Sequence, residues 1–259
     1  MIKLSNRLEA ISSLVPNNSN VIDIGCDHGI LDIYLYQKKI SNKIIASDIN
    51  KNALNNAKEN IKKNKLENII ETRLGNGLDT LKNTDDIDTI IISGMGAHTA
   101  VGIIKNNIQK ITNINTIIIQ SNTKIEFLRK EITKLNYFIK DEILVEDNKK
   151  IYTIIKFEKG KRKYNKKELF FGPILLEKNS KLFQKNNKIE LTKLNLVLKM
   201  MPKNKIIDRY KIQKKINMYK WYISVLCQIV GATQTFDKEP FILGPTNVEE
   251  PQKKQILIN

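Results

Sequence analysis

The sequence predicts a doubly wound α/β sheet that ends in an antiparallel β-hairpin and is followed by an antiparallel helical hairpin. Three observations predict it. Short Ile/Val-rich runs alternate with helical patterns through the first part of the chain. Two longer apolar segments, separated only by Asp147, Asn148 and Lys149, close that part. Beyond a basic linker, apolar residues recur every seven positions.

Residues 20–25, 43–48, 68–75, 88–93 and 116–120 are short and rich in Ile and Val, as expected of strands buried on both faces of a parallel sheet. A helix is expected from about Ile30. Another is expected over 51–63, where Ala53, Leu54, Ala57 and Ile61 share one face, and another over 123–135, with Ile125, Leu128 and Ile132 inward. Segments 137–146 and 150–157 are too close for anything but a hairpin at one sheet edge. Residues 159–167 read as a polar, basic linker. The repeat Leu175, Leu182, Ile189, Leu196 predicts one helical seam. Ile212, Ile216, Tyr219, Ile223 and Leu226 predict its partner after a break at 201–204. The expected organisation is therefore a sheet domain over 1–158, a helical hairpin over 159–227 and an irregular tail over 228–259, which holds three of the six prolines.

Charge separates these parts. The chain has 44 Lys+Arg and 27 Asp+Glu. Between Lys156 and Lys220 stand 20 basic and 5 acidic residues, leaving 24 against 22 elsewhere. A general preference for Lys would raise its count anywhere but would not concentrate the surplus in one quarter of the chain. A nearly neutral body with a basic extension suggests a polyanion grip, and nucleic acid is the expected partner. The alternative is a helical hairpin whose lysines are only a solvated face.

No apolar run reaches the ~20 residues needed to cross a bilayer, and residues 1–9 lack a signal-peptide core. Two cysteines, Cys26 and Cys227, cannot build a disulfide framework. A cytoplasmic protein without membrane attachment is expected. Two His and two Cys are too scattered for a metal site.

The segment Val21-Ile22-Asp23-Ile24-Gly25-Cys26-Asp27-His28-Gly29 carries the most chemical information. A strand runs into a glycine turn, where the backbone can approach a ligand closely. The dinucleotide pattern GxGxxG is absent, and Asp23 stands at the strand end. A carboxylate there repels a pyrophosphate but suits a cationic ligand such as S-adenosylmethionine, with its ammonium and sulfonium. Asp48 ends the second strand, where a carboxylate can accept both hydroxyls of a ribose. Asn76 follows the third strand and has the donor and acceptor to meet an adenine. Each is weak alone, since an Asp after a strand is often a helix cap. Together, at successive strand ends, they mark one ligand crevice.

These residues resemble a family. DIGCDHG at 23–29, Ser93-Gly94-Met95-Gly96 and Gln120-Ser121-Asn122 are similar to the bacterial tRNA (adenine-22-N1)-methyltransferases, the TrmK family. So are Leu4-Ser5-Asn6-Arg7-Leu8, the hairpin around Val145-Glu146-Asp147 and Phe171-Gly172-Pro173. The resemblance covers roughly Leu4 to Leu226. It implies a Rossmann-like class I methyltransferase with a seven-stranded, mostly parallel sheet, a coiled-coil helical hairpin, S-adenosyl-L-methionine as cofactor and tRNA as partner, methylated at N1 of adenosine 22 in the D-arm region. It implies cofactor contacts from Asp23, Gly25, Asp27, His28, Asp48, Ile49, Asn76, Gly77, Gly94 and Met95. Ser93, Met95, Gln120 and Asn122 would position the target base. Arg7, Lys161, Arg162, Lys163, Lys166 and Lys167 would bind RNA. The chain departs from the family with Asn76 in place of the usual Asp, with Ala97 in place of a glycine, and in its proline-rich tail. The expected enzyme acts as a monomer.

Adenine N1 has an in-plane lone pair, so its methylation needs positioning and desolvation more than a base. No general base stands out, and the [Asn/Asp]-Pro-Pro-aromatic signature of exocyclic-amine methylation is absent. His28 reads as a hydrogen bonder of the cofactor loop, with acid–base or structural roles as alternatives. His98 lies near the target base or simply begins a helix. Cys26 reads as packing. Two other readings stay open: an NAD-dependent oxidoreductase, disfavoured by the missing GxGxxG, and a non-catalytic RNA-binding protein on a methyltransferase-like body.

Overall fold

The computed structural model describes residues 2–229, and the expected irregular tail lies almost wholly outside them. Seven strands form one sheet in the order β3-β2-β1-β4-β5-β7-β6. They are β1 (Asn20–Ile24), β2 (Lys43–Asp48), β3 (Ile70–Leu74), β4 (Thr89–Met95), β5 (Thr116–Ser121), β6 (Tyr137–Asp147) and β7 (Lys150–Lys159). The first five are parallel, while β7 runs antiparallel to both β5 and β6. All seven expected strands are present, with ends shifted by a few residues.

The helices are α1 (Asn6–Ser12), α2 (Ile30–Gln37), α3 (Lys51–Lys63), α4 (Ala97–Lys105), α5 (Ile125–Thr133), α6 (Lys166–Phe171), α7 (Pro173–Lys178), α8 (Lys181–Met200) and α9 (Ile206–Ile229). Ile11, Leu31, Ile33, Leu54, Ala57 and Ile61 of α1–α3 pack on one face of the sheet. Ala100, Val101, Ile104, Leu128 and Ile132 of α4 and α5 pack on the other. Both faces are covered, so β4 and β5 are apolar in both directions, as their unbroken Ile runs require, and β1 is buried on both faces along with its one carboxylate, Asp23.

The chain leaves β1 toward β2 and β3, then returns to β4 on the opposite side of β1. This reversal opens a crevice above the carboxyl ends of β1 and β4, where ligands of such sheets bind.

The basic linker is shorter than expected, because β7 continues to Lys159 and α6 begins at Lys166. Helices α1, α6 and α7 were not foreseen, and α4 entered only as the alternative role of His98. The expected seam on α8 is also displaced. Leu175 belongs to α7, Asn179 takes a left-handed conformation, and the Ser180 hydroxyl caps α8 by accepting from the Phe183 N–H. Within α8 itself Phe183 and Asn187 are buried, Leu182 and Ile189 are partly so, and Leu196 is about half exposed. The α9 seam keeps its predicted phase: Ile216 is buried, and Ile212, Tyr219, Ile223 and Leu226 are partly so. The base of the hairpin is held by an aromatic cluster of Phe170, Phe171, Phe183, Tyr219, Trp221 and Tyr222.

Candidate active site

The turn after β1 is built from Gly25, whose φ is +80°. The Gly25 and Cys26 N–H groups both donate to the Ser47 carbonyl, at 2.8 and 3.0 Å, which draws the turn onto the end of β2. A Cβ on Gly25 would lie 2.6 Å from Met95 Cε, which a flexible side chain can yield, so it is the positive φ that calls for glycine here. Asp48 pins the rest of the loop. Its Oδ2 accepts from the Asp27 N–H at 3.2 Å and its Oδ1 from the Asn50 N–H at 2.7 Å. Cys26 is buried and free, and burial raises its thiol pKa above the usual range, which fits packing.

Asp23 is buried beneath this loop, and its Oδ1 has no hydrogen-bond partner. Burial and the neighbouring Asp48 push its carboxyl up to about 7, while Arg7 pulls it the other way. A further carboxylate, not singled out in the sequence, lies nearby. Asp32 of α2 is fully buried, neither of its oxygens has a partner, and burial followed by repulsion from Asp23 raises its pKa well above the usual range. The signal was available: Asp32 interrupts the apolar run Ile30-Leu31-Asp32-Ile33.

Both carboxyls keep their protons to higher pH than in the unfolded chain, which releases them near pH 4. Their contribution to stability is full below that pH and is lost as pH rises, for Asp23 through about 7. Asp32→Asn removes one of these ionisations. Its melting temperature should exceed that of the parent at pH 8, and the difference should shrink toward pH 4. Equal melting temperatures at pH 8 would mean that Asp32 is solvated.

Other expected cofactor residues ring the same strand ends. Ile49 is 68% exposed, presenting an apolar side chain beside Asp48. Asn76 is exposed, and its side chain makes no capping bond to the short 3-10 turn Gly77–Thr80. Asp27 and His28 are exposed at the loop tip, 3.6 Å apart.

On the β4–β5 side the register shifts between Ile92 and Met95, which splays Ser93 and Gly94 away from regular pairing. Gln120 of β5 fills the gap. Its Oε1 accepts from the Gly94 N–H and from Arg7 Nη1, both at 2.9 Å, and its Nε2 donates to Asn122 Oδ1 at 2.7 Å. Gln120 is fully buried and both ends of its amide are engaged, whereas Asn122 is exposed. Of the amides expected to meet the base, only Asn122 is therefore open to solvent. Arg7 lies at this end of the sheet, its guanidinium 5.6 Å from the Tyr152 ring centroid. His98, the second residue of α4, lies against Phe127 with ring centroids 4.3 Å apart and tilted by 43°, and meets Lys124 Nζ at 2.8 Å.

The remaining basic candidates lie elsewhere. Lys161, Arg162 and Lys163 are exposed between β7 and α6, and Lys166 opens α6. Lys167 Nζ sits 3.7 Å from the Trp221 ring centroid, so that ammonium is partly committed to a cation–π contact. Two surface clefts, lined by residues such as Pro16, Asn17, Asp88 and Lys156, lie toward the opposite end of the sheet and include none of the expected site residues. Among the described residues there is no cluster able to hold a metal, and no helix is long and apolar enough to cross a membrane.

The sequence pattern that defines the tRNA (adenine(22)-N(1))-methyltransferases, TrmK, matches residues 21–221. The chain belongs to that family. The TrmK match takes in the sheet from β1 onward and most of the helical hairpin. The tRNA (adenine(22)-N(1))-methyltransferase of Bacillus subtilis is 30% identical over 161 residues, 62% of this chain and 67% of that one. TrmK of M. capricolum, solved with S-adenosyl-homocysteine, superposes with a TM-score of 0.77 at 34% identity, covering 86% of this chain and 98% of that one. Streptococcus pneumoniae Sp1610, solved with S-adenosyl-L-methionine, gives 0.79 at 28% identity, covering 85% and 99%. TrmK membership accounts for the Rossmann-like sheet and the helical hairpin together.

Proposed function

We infer that the chain transfers a methyl group from S-adenosyl-L-methionine to N1 of adenosine 22 in tRNA. The observation that carries this reading is the unpartnered Asp23 oxygen beneath a glycine turn, at the switch point of a sheet whose family modifies tRNA at that atom. A buried carboxylate lacking a partner suits a ligand with positive charge, and the exposed Ile49 and Asn76 suit an adenine with an apolar face and polar edge. The residues fit the cofactor.

When bound, S-adenosyl-L-methionine supplies an electrophilic methyl on a sulfonium. The chain has to hold and orient two molecules. Asp23, Gly25, Asp27, His28, Asp48, Ile49, Asn76, Gly77, Gly94 and Met95 form the proposed cofactor wall. Ser93, Met95 and Asn122 flank the target base, with Gln120 behind them. No proton need be taken from N1 before it attacks, so alignment and water exclusion carry the rate. The exposed lysines of the linker and hairpin, 161–220, hold the phosphates. All proposed residues come from one chain, so the reading needs no second copy and fits a cytoplasmic monomer. An NAD-dependent oxidoreductase has no support from the family match. Methyl transfer to unmodified tRNA, followed by mapping of the modified nucleoside, tests the reading directly. Absence of 1-methyladenosine at position 22 would reject it.

Asp23→Ala and Asp48→Ala should each weaken S-adenosyl-L-methionine binding by about 1–3 kcal/mol. The first loses the partner of a positive charge. The second loses the ribose acceptor and also frees the Asp27 and Asn50 N–H groups. In the unsubstituted protein, affinity should rise with pH through about 7, because a cationic ligand favours ionised Asp23. Unchanged calorimetric affinity in both variants would remove these residues from the pocket.

A further inference from the structure

The Arg7–Gln120–Asn122 chain admits only one arrangement of donors and acceptors. A guanidinium can only donate, and so can the Gly94 N–H. Both point at the same atom of the Gln120 amide, at 2.9 Å, so that atom is the oxygen. The Gln120 nitrogen is then the atom that faces Asn122 at 2.7 Å, and the Asn122 atom receiving it must be its oxygen. This logic does not depend on how either amide was oriented, because the two fixed donors decide it. What remains is the Asn122 NH2, on an exposed residue at the carboxyl end of β5.

We propose that Arg7 is a positioning residue which, through Gln120, turns the Asn122 carboxamide oxygen inward and its NH2 toward the target base, so that the site offers the base a hydrogen-bond donor. This rests on the reading that Asn122 flanks that base. A donor suits methylation at adenine N1. It can hold another ring nitrogen of the base while the N1 lone pair stays free for the methyl group. An amide oxygen in its place would be repelled by those ring nitrogens. Arg7 thereby acts on the base at one remove, and its role differs from the phosphate contact expected from the sequence.

The test uses the full-length protein and unmodified tRNA, reading kcat at saturating tRNA, tRNA affinity against salt, S-adenosyl-L-methionine affinity and melting temperature. Gln120→Glu keeps an acceptor for Arg7 and Gly94 but has no donor for Asn122, which must then turn its NH2 inward. Its kcat should fall at least tenfold with cofactor affinity retained. Asn122→Asp keeps the inward acceptor and loses the outward donor. It lies on the surface and should fold whether or not the buried Gln120→Glu does. It should also lose at least tenfold, and more than Asn122→Ala, which leaves the Gln120 NH2 available. Arg7→Gln should lower kcat while leaving the salt slope of tRNA binding unchanged. A wild-type kcat in folded Asn122→Asp or Gln120→Glu overturns the proposal. A salt slope reduced by about 0.7–0.9 in Arg7→Gln, with kcat unchanged, puts Arg7 on a phosphate and also overturns it. Failure of the underlying reading looks different: in Asn122→Ala, cofactor affinity would fall in step with turnover, which takes Asn122 out of the base site and the proposal with it.

Discussion

Arg129→Ala should destabilise the protein by about 3–5 kcal/mol, the largest effect expected of any single substitution here. Arg129 of α5 is 2% exposed and its partner Glu142 of β6 is fully buried. Arg129 Nε donates to Glu142 Oε1 at 2.6 Å. Its two terminal nitrogens donate to the carbonyls of Leu169 and Phe170, at 3.2 and 2.9 Å, and of Phe171, at 3.3 Å. Glu142 Oε2 accepts from the Ile174 N–H at 3.1 Å. One ion pair thus satisfies the end of α6 and the start of α7 and fastens both to the sheet. Gly172 lies against it with φ at +97°, where a Cβ would collide with the Glu142 carboxylate and, at 2.6 Å, with Arg129 Nη2.

Removing the guanidinium leaves a buried carboxylate without its counter-charge, held only by the Ile174 N–H, and takes a donor from three carbonyls. Burial already raises the Glu142 pKa despite Arg129, so without Arg129 the carboxyl should take up a proton more readily still. The variant should therefore be most stable at acid pH and lose stability as pH rises. Arg129→Met with Glu142→Met removes both charges and should recover a large part of the loss. Urea unfolding at pH 5 and pH 8 measures all three proteins. A cost below about 1 kcal/mol for Arg129→Ala would show that the pair is hydrated and does not fasten the helices.

Replacing Lys181, Lys188, Lys199 and Lys215 by Gln should lower the salt slope of tRNA binding by about 3 log units per decade, at ~0.7–0.9 per phosphate released. All four are exposed on α8 and α9 and make no ion pair among the described residues. S-adenosyl-L-methionine affinity should not change, since none lies near the strand ends. An unchanged slope would make the basic helices a solvated structural element. The substitutions are preferable to a chain cut near residue 158. Such a cut looks harmless from the end of the strand pattern, but it would take away the carbonyls that Arg129 needs.

Features set by local periodicity and turn chemistry were legible in the residues. Short Ile/Val-rich runs with helical patterns between them made the five parallel strands and helices α2, α3 and α5 legible, although β3, expected to be buried on both faces, is an edge strand with Glu71 and Leu74 exposed. The three-residue polar break at 147–149 allowed only a hairpin. Asp23, Gly25 and Asp48 could be assigned to one crevice because parallel strands bring their carboxyl ends together. The tertiary structure alone decided what depends on contacts remote in sequence or on phase. Arg7 and Gln120 are 113 positions apart, and only the α1 and β5 placement brings them within 2.9 Å. Arg129 falls on the inward face of its helix, between Ile125 and Ile132, but its role appears only when Glu142 and the carbonyls of α6 arrive beside it. On α8 two apolar series compete: Leu182, Ile189 and Leu196, and Phe183, Leu191, Leu194 and Leu198. The folded helix buries Phe183 and Asn187, keeps Leu191, Leu194 and Leu198 half-buried, and leaves Leu196 about half exposed. Spacing does not choose between two such faces on one helix, because the choice depends on which of them meets the sheet and α9.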